Sequence, residues 1–267
     1  MPTLRSSDHA PCGRPSGRRG LWAVAVLLAL LAATGCQSPW GWGRNNVGQL
    51  GDGTVFNRLA PFDLDPGWVS VTAGEQHTVG VRTDGTLWAW GYNGNGQLGQ
   101  GDFVNRLTPV PVGTATTWKS VSTGFGHVVA LRTDGTLWAW GANAWGQLGD
   151  GTTSPRNVPQ QVGSATWSSV VAGYGHTFGV RTDGSLWAWG YNFYGQIGNG
   201  SAANQLTPLQ IGSATSWTAV AGGYAHSVAI RADGTMWSWG RNLEGQLGDG
   251  TTTNLSLIHI SEPTRRS

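Results

Sequence analysis

Trp42-Gly43-Arg44-Asn45-Asn46-Val47-Gly48-Gln49-Leu50-Gly51 is written once and then four times more, as Trp90–Gly99, Trp140–Gly149, Trp189–Gly198 and Trp239–Gly248. The Gly-Gln-Leu/Ile-Gly units begin at 48, 96, 146, 195 and 245, so the intervals are 48, 50, 49 and 50 residues. A fixed period near fifty means one supersecondary unit copied in tandem, which must stack on its neighbours to bury a core. It also favours a scaffold over an enzyme, because a residue repeated in every copy serves packing first.

Working outward through one period, Trp68-Val69-Ser70-Val71 alternates and then meets Ala73-Gly74. His77 to Arg82 alternates again, Thr83-Asp84-Gly85 reads as a tight hairpin turn, and Leu87 to Trp90 is the next strand. Gly91 to Gly99 is a glycine-rich corner, and Thr108 to Val112 is a short apolar stretch whose prolines suit an edge. The period therefore predicts a meander of about four strands, the size of one propeller blade. Composition agrees: 43 Gly and 16 Trp with 11% charged residues favour short strands and tight turns over helices.

The sub-motifs recur in register. Trp-Ala/Ser-Trp-Gly stands at 88–91, 138–141, 187–190 and 237–240, with Trp40-Gly41-Trp42-Gly43 as a first copy. Asp-Gly turns follow at Asp84, Asp134, Asp183 and Asp233, and Gly-x-x-His units end at His77, His127, His176 and His226. This order, with Trp-Gly-x-Asn-x-x-Gly-Gln-Leu-Gly, resembles the repeat of the regulator of chromosome condensation family (RCC1-like repeats) over residues 40–254. The resemblance implies an all-β fold, the RCC1-like seven-bladed β-propeller. About four and a half blades are present, and closing seven at this period takes roughly 350 residues, so an incomplete, truncated ring is expected: an open arc with exposed blade edges. The family includes a chromatin-bound nucleotide exchange factor, a plant ultraviolet receptor and a bacterial β-lactamase inhibitor, so fold alone does not settle function.

The two ends read differently. Arg14, Arg18 and Arg19 precede an apolar run from Leu21 to Ala33, too short for comfortable membrane crossing and laid out like a secretory signal. The run ends in Ala33-Thr34-Gly35-Cys36, which resembles a bacterial lipobox. Residues 1–35 are thus expected to be a lipoprotein-type signal peptide, with Cys36 lipidated, and Gln37 rather than Asp after it favours outer-membrane sorting. Residues 36–254 are expected to be the repeats. Eleven consecutive residues, Leu255 to Arg265, resemble the translation of a transposase-type sequencing adapter, so 255–267 is expected to be an artefact outside the fold.

Charge partitions with these segments: residues 1–35 carry +3, residues 36–254 carry −2 and residues 255–267 carry +1. The repeats hold one lysine, Lys119, and no basic stripe, which disfavours nucleic acid as a partner. The four repeated histidines invite a metal reading, but no Cys, Asp or Glu stands beside them in ligand spacing. A structural role is expected, with a ring nitrogen satisfying a neighbouring backbone group. Gly94 to Gly99 matches a dinucleotide fingerprint, but no βαβ unit surrounds it. The Gly-Asp-Gly-Thr loops at 51, 149 and 248 carry too few carboxylates for calcium and read as turns. Arg82, Arg132, Arg181 and Arg231 recur beside the Asp-Gly turns and are expected to make polar contacts at blade edges. No nucleophile–base pair or carboxylate pair stands out, so no enzyme activity and no cofactor are expected.

What varies between repeats is more informative. Before Gly-Gln-Leu/Ile-Gly stand Val47, Asn95, Trp145, Tyr194 and Glu244, and one residue earlier Asn46, Gly94, Ala144, Phe193 and Leu243. Two residues before each repeated His stand Glu75, Phe125, Tyr174 and Tyr224. The ultraviolet receptor uses a Trp at this last position, so light sensing by that route is not implied. Packing does not demand such variation, and aromatic residues on rigid loops are common anchors for a protein partner. Candidate binding residues are therefore Trp145, Phe193, Tyr194, Phe125, Tyr174 and Tyr224. The leading reading is an exported, lipid-anchored propeller that binds an unidentified protein and meets the membrane through its anchor only. A carbohydrate-binding surface module and an inhibitor of the β-lactamase-inhibitor kind remain as alternatives.

Overall fold

The computed structural model describes residues 39–260, and the expected signal peptide and Cys36 lie outside them, as do residues 261–267. Seventeen strands follow one another among the described residues, each antiparallel to its sheet neighbours. β1 (Trp40–Gly43) and β2 (Arg58–Asp63) pair as a half blade. β3 (Trp68–Ala73), β4 (His77–Arg82), β5 (Leu87–Gly91) and β6 (Arg106–Pro111) form the first complete blade, matching the meander expected from one period. β7 (Trp118–Thr123), β8 (His127–Arg132) and β9 (Thr136–Gly141) begin the second. β10 (Arg156–Ala172) is the fourth strand of that blade up to Thr166 and the first strand of the next from Trp167. β11 (His176–Arg181), β12 (Leu186–Gly190) and β13 (Gln205–Gln210) complete the third blade. β14 (Trp217–Gly222), β15 (His226–Arg231), β16 (Met236–Gly240) and β17 (Leu255–Ile260) make the fourth. Four blades and a half is the count expected from the repeats.

β17 differs from the expectation that residues past 254 stand outside the fold. Leu255 pairs with Gly240 and Ile260 with Trp237, the register in which Gln205 pairs with Gly190 and Gln210 with Trp187. The physical reason is the open edge of β16: its unpaired N–H and C=O groups accept any extended segment, because ladder bonds are made by backbone alone.

The repeated phrase folds into a corner built around its asparagine. The buried Asn143 accepts from the Leu148 N–H, and its amide donates to Asp150 and to the Thr152 and Ser154 carbonyls. Asn45, Asn93, Asn192 and Asn242 each accept from the Leu or Ile N–H five residues on and donate to the carbonyl nine residues on in their own corners. The Gly-Asp-Gly-Thr loops are turns closed by their own carboxylates: Asp150 accepts from the Thr152 N–H and hydroxyl and pairs with Arg156.

The corner also latches the following blade. The Gln147 carbonyl accepts from the indole of Trp189 at 3.0 Å and from the hydroxyl of Thr177 at 2.8 Å, both one blade on. Gly149, at φ +76°, lies flat on the same indole: a Cβ there would sit 2.7 Å from Trp189 Nε1. The core is the layer between successive blades. Val79, Val81, Leu87 and Leu98 of one blade meet Trp118, Val128, Ala130 and Trp140 of the next. Burying such a layer is worth about 25 cal/mol per Å² of apolar surface, which is why single blades need neighbours.

The arc is open. β1 and β2 make no extensive packing against β14–β17. In the fourth blade Ile230 is 41% exposed, whereas its equivalents Val81, Leu131 and Val180 are at most 2% exposed. Gly248, the last glycine of the fifth phrase, has no described atom within 4 Å of where a Cβ would stand. Among the described residues no helix is long and apolar enough to cross a membrane.

Candidate functional site

Three positions per repeat fix what one end of the arc looks like. The β3–β4 loop and its equivalents close by a bond from a glycine N–H to the histidine carbonyl, as in Gly74 to His77 and Gly124 to His127. Their tips present Glu75, Phe125, Tyr174 and Tyr224. Adjacent tips are tied by backbone: the Phe125 N–H donates to the Tyr174 carbonyl at 3.0 Å, and the Tyr174 N–H to the Gly223 carbonyl at 3.1 Å. The approach leaves no room for a side chain at Gly124, where a Cβ would stand 2.3 Å from the Gly173 carbonyl oxygen. Rings and loops together line a concavity of about 510 Å³ between the blades.

The variable aromatic residues come together here. Phe125 and Tyr174 have ring centroids 4.5 Å apart, and Tyr174 and Tyr224 4.3 Å, with planes tilted by 40° and 47°, so three successive blades carry one run of ring contacts. Trp145 joins it at 6.0 Å from Tyr174 and packs over Gly175. It also lies 5.0 Å from Tyr191, which leads to Tyr194 and Phe193. All six candidates thus belong to one contiguous aromatic band. Phe193 is 66% exposed, Tyr224 58% and Phe125 37%; Trp145, Tyr174 and Tyr194 are half-buried within it. Tyr191 bridges the two halves and escaped sequence reasoning. It fills the x of Trp-Gly-x-Asn, where other repeats hold Arg44, Tyr92, Ala142 and Arg241, and that variability was the available signal. Arg241 lies over the Tyr194 ring at 5.9 Å and pairs with Glu244.

Directly below the tips lies the histidine row. His77, His127 and His176 are buried. The Thr177 hydroxyl donates to the Gln147 carbonyl, so its oxygen accepts from His127 Nε2, 3.0 Å away. Ser227 does the same for His176 at 3.4 Å. For these two the partner is a hydroxyl of the following blade rather than the backbone group expected; His77, with Val128 at that place, has no partner at either ring nitrogen. Nδ1 of all three rings has no hydrogen-bond partner, as a neutral ring allows. Burial pushes His77 down to about 4, and burial with the neighbouring histidines pushes His127 to about 3. His176 is likewise lowered to about 3, by burial and by His226. No group of three metal-ligating side chains exists among the described residues.

The arginines lie at the other ends of these strands and correct the expectation of blade-edge polar contacts. Each guanidinium is held between two indoles. Arg132 stands 4.9 Å from the Trp118 ring and 3.9 Å from Trp138; Arg82, Arg181 and Arg231 repeat the arrangement. The register explains it: Arg132 is directly opposite Trp118, and Trp138 comes from the far side of the same blade. Trp138 is oriented in turn by Thr136, whose hydroxyl accepts from the indole and donates to Asp134. The repeated tryptophans are packing residues, as expected; Trp90, Trp140, Trp189 and Trp239 are fully buried.

Similarity to known proteins follows this geometry. The chain aligns with human WBSCR16 at a TM-score of 0.76 and 22% identity, covering 85% of this chain and 63% of that one. It aligns with yeast RCC1 (Prp20), solved bound to Kap60, at 0.76 and 22%, covering 85% and 57%. A second structure of Prp20p from Saccharomyces cerevisiae gives 0.74 and 24%, covering 85% and 59%. The chain spans about three-fifths of these structures, and at such identities they share its fold. No curated protein matches it in sequence. The sequence profile of the RCC1-like domain matches residues 28–266, nearly the whole chain. The corner phrase, the latched blades and this match make the chain a member of the RCC1-like domain family.

Proposed function

We propose that this chain is a non-enzymatic scaffold, exported and held at a membrane by a lipid on Cys36, that binds another protein through the aromatic band. The observation that carries the reading is the joining of Phe125, Tyr174, Tyr224, Trp145, Tyr194 and Phe193 into one exposed surface on loops tied to one another. Large, rigid aromatic side chains with neighbours fixed beforehand lose little entropy on binding and are typical interface anchors. RCC1-like propellers mediate protein–protein contacts, as the yeast protein bound to Kap60 illustrates. The histidines, aspartates and arginines that could serve chemistry are engaged in blade packing and turns.

The test is capture of a protein partner from the extracytoplasmic fraction by the mature chain. Replacing Trp145, Phe193 and Tyr194 together with Ala is expected to reduce capture at least about tenfold, the effect of losing one strong anchor. Retention on oligosaccharides that vanishes in this variant, with protein capture intact, overturns the reading in favour of a carbohydrate module. Inhibition of a secreted hydrolase would refine it towards an enzyme inhibitor. For the anchor, Cys36→Ser is expected to move the protein from the membrane to the soluble fraction; unchanged partition refutes lipidation. We also propose that residues 255–265 derive from an adapter. Sequencing the locus through Asn254 should show another Pro-containing loop and Trp strand in their place, and an identical reading of 255–265 from an independent library would reject this.

A further inference from the structure

We propose that the concavity between the loop tips is the seat of a single basic side chain, a lysine or arginine presented on a protruding segment of the protein partner. The inference rests on the reading of the aromatic band as a protein-binding surface and names what that surface recognises.

Three observations carry it. The concavity of about 510 Å³ is large enough for an extended side chain and is walled by the tips of four blades. Its tip side chains are aromatic except on the first blade: Phe125, Tyr174 and Tyr224 contact one another ring to ring at a tilt, and the equivalent position holds Glu75. Ring faces carry negative quadrupole density and attract an ammonium or guanidinium within about 6 Å, the more so beside a carboxylate. Glu75 is the one charged group lining the cavity; it is exposed and takes part in no ion pair among the described residues. The phenol of Tyr174 is raised above its ordinary range by burial first and then by Tyr224 and Glu75, so the carboxylate lies within electrostatic reach of the rings.

Nothing below competes with an incoming cation. Behind the lining glycines Gly74, Gly124 and Gly173 stands the histidine row, whose rings are uncharged at neutral pH because burial disfavours their protonation. The repeated arginines stand five residues further along the same strands, about 17 Å away at 3.3 Å per residue, and are held between indoles. Arg241, the cation nearest the band, is paired with Glu244. The cavity is therefore a cation seat with no cation of its own. The occupant is a side chain of a macromolecule rather than a free amine, because Trp145 continues the ring contacts out of the cavity towards Tyr194 and Phe193. A tethered cation gains from both surfaces at once.

The experiment is titration of the full chain with two blocked pentapeptides, Gly-Gly-Lys-Gly-Gly and its norleucine counterpart, followed by calorimetry. The lysine peptide is expected to bind at least about tenfold tighter, as a cation–π contact beside a carboxylate allows. Glu75→Gln is expected to remove most of that preference without disturbing the fold, since the Glu75 side chain is exposed and holds no ion pair among the described residues, and salt near 0.5 M should erode it. Tyr174→Ala, checked for retained β structure by circular dichroism, should abolish binding. Equal affinity for both peptides, no lysine-peptide binding up to about 10 mM, or a preference that survives Glu75→Gln overturns the proposal. Loss of partner capture in the Trp145, Phe193 and Tyr194 variant, together with equal peptide affinities, would leave the protein-binding reading standing and remove only the cation seat. A lysine preference in a chain that captures no protein would do the reverse.

Discussion

Asn143 makes five hydrogen bonds from a site with almost no solvent access, one from the buried Leu148 N–H and the rest to part-buried groups of Asp150, Thr152 and Ser154. Asn143→Ala leaves the buried Leu148 N–H unpaired and frees the loop that the amide gathers, and is expected to cost about 2–3 kcal/mol. Urea denaturation checks this, and a loss below about 1 kcal/mol would mean that the corner rearranges around the smaller residue. Arg132 is a different kind of residue, half-buried at the far end of its strand. Its charge is met by two ring faces instead of a carboxylate, so a flat, delocalised cation is needed. Arg132→Lys is expected to lose about 1 kcal/mol and Arg132→Ala more, with the urea midpoint as readout; equal stability of the lysine variant would show that charge alone suffices. The sequence showed that this arginine recurs but not what it does. Trp118 and Trp138 are fourteen and six residues from it, and only the antiparallel register brings both rings to its sides.

At the scale of the element, strands were legible because alternation and Asp-Gly turns are local signals. Those predicted at Trp68, His77 and Leu87 appear in place. Contacts between loops were not legible, since no local pattern encodes the bond from Phe125 to Tyr174 across two blades. That is why the six candidate residues could be named individually from their variability, while their union into one band, and the bridging Tyr191, could not. The latch can be tested by comparing two glycines of the same phrase. Gly149→Ala meets both a positive φ and the Trp189 indole, whereas Gly248→Ala meets the positive φ alone. The first is expected to cost about 2–3 kcal/mol and the second about 1 kcal/mol. Thermal melts of the pair decide it, and equal losses would show that the latch contributes nothing beyond backbone strain.

For the whole molecule, the buried histidines predict how stability follows pH. Their folded values of about 3 to 4 lie below the ordinary 6.5, so the unfolded chain binds more protons between these limits. Stability is therefore complete above about pH 6.5 and is lost progressively as pH falls towards 4. The loss totals several kcal/mol, at roughly 1.4 kcal/mol for each pH unit that separates a folded value from its unfolded one. Burial pushes Asp150 up, but hydrogen bonds from Thr152 and Arg156 together outweigh it and hold the carboxyl below its ordinary value, which adds a loss in the same direction at more acid pH. Denaturation midpoints are expected to be flat from about pH 7 to 9 and to fall steeply below about 6; a midpoint that stays level to about pH 4 contradicts a neutral histidine row. The period predicted the blade count and the open arc. It did not predict that residues past 254 would pair, because edge pairing depends on vacant backbone groups rather than on side-chain pattern.

β10 has a mechanical consequence. The joints between complete blades all turn at a glycine, Gly113, Gly163 or Gly212, but only between the second and third does the ladder to β9 resume at Thr166 directly before the ladder to β11 begins at Trp167. A strand that ladders to β9 on one side and β11 on the other cannot release one blade without pulling on its neighbour. In a chain of units that would otherwise loosen one at a time, these two form a single cooperative block. Amide exchange should report it as a shared opening energy across residues 127–190, with the half blade and the last blade fraying first. The aromatic band is centred on that block: Trp145 and Tyr174 are rooted in the part of the arc that lets go last.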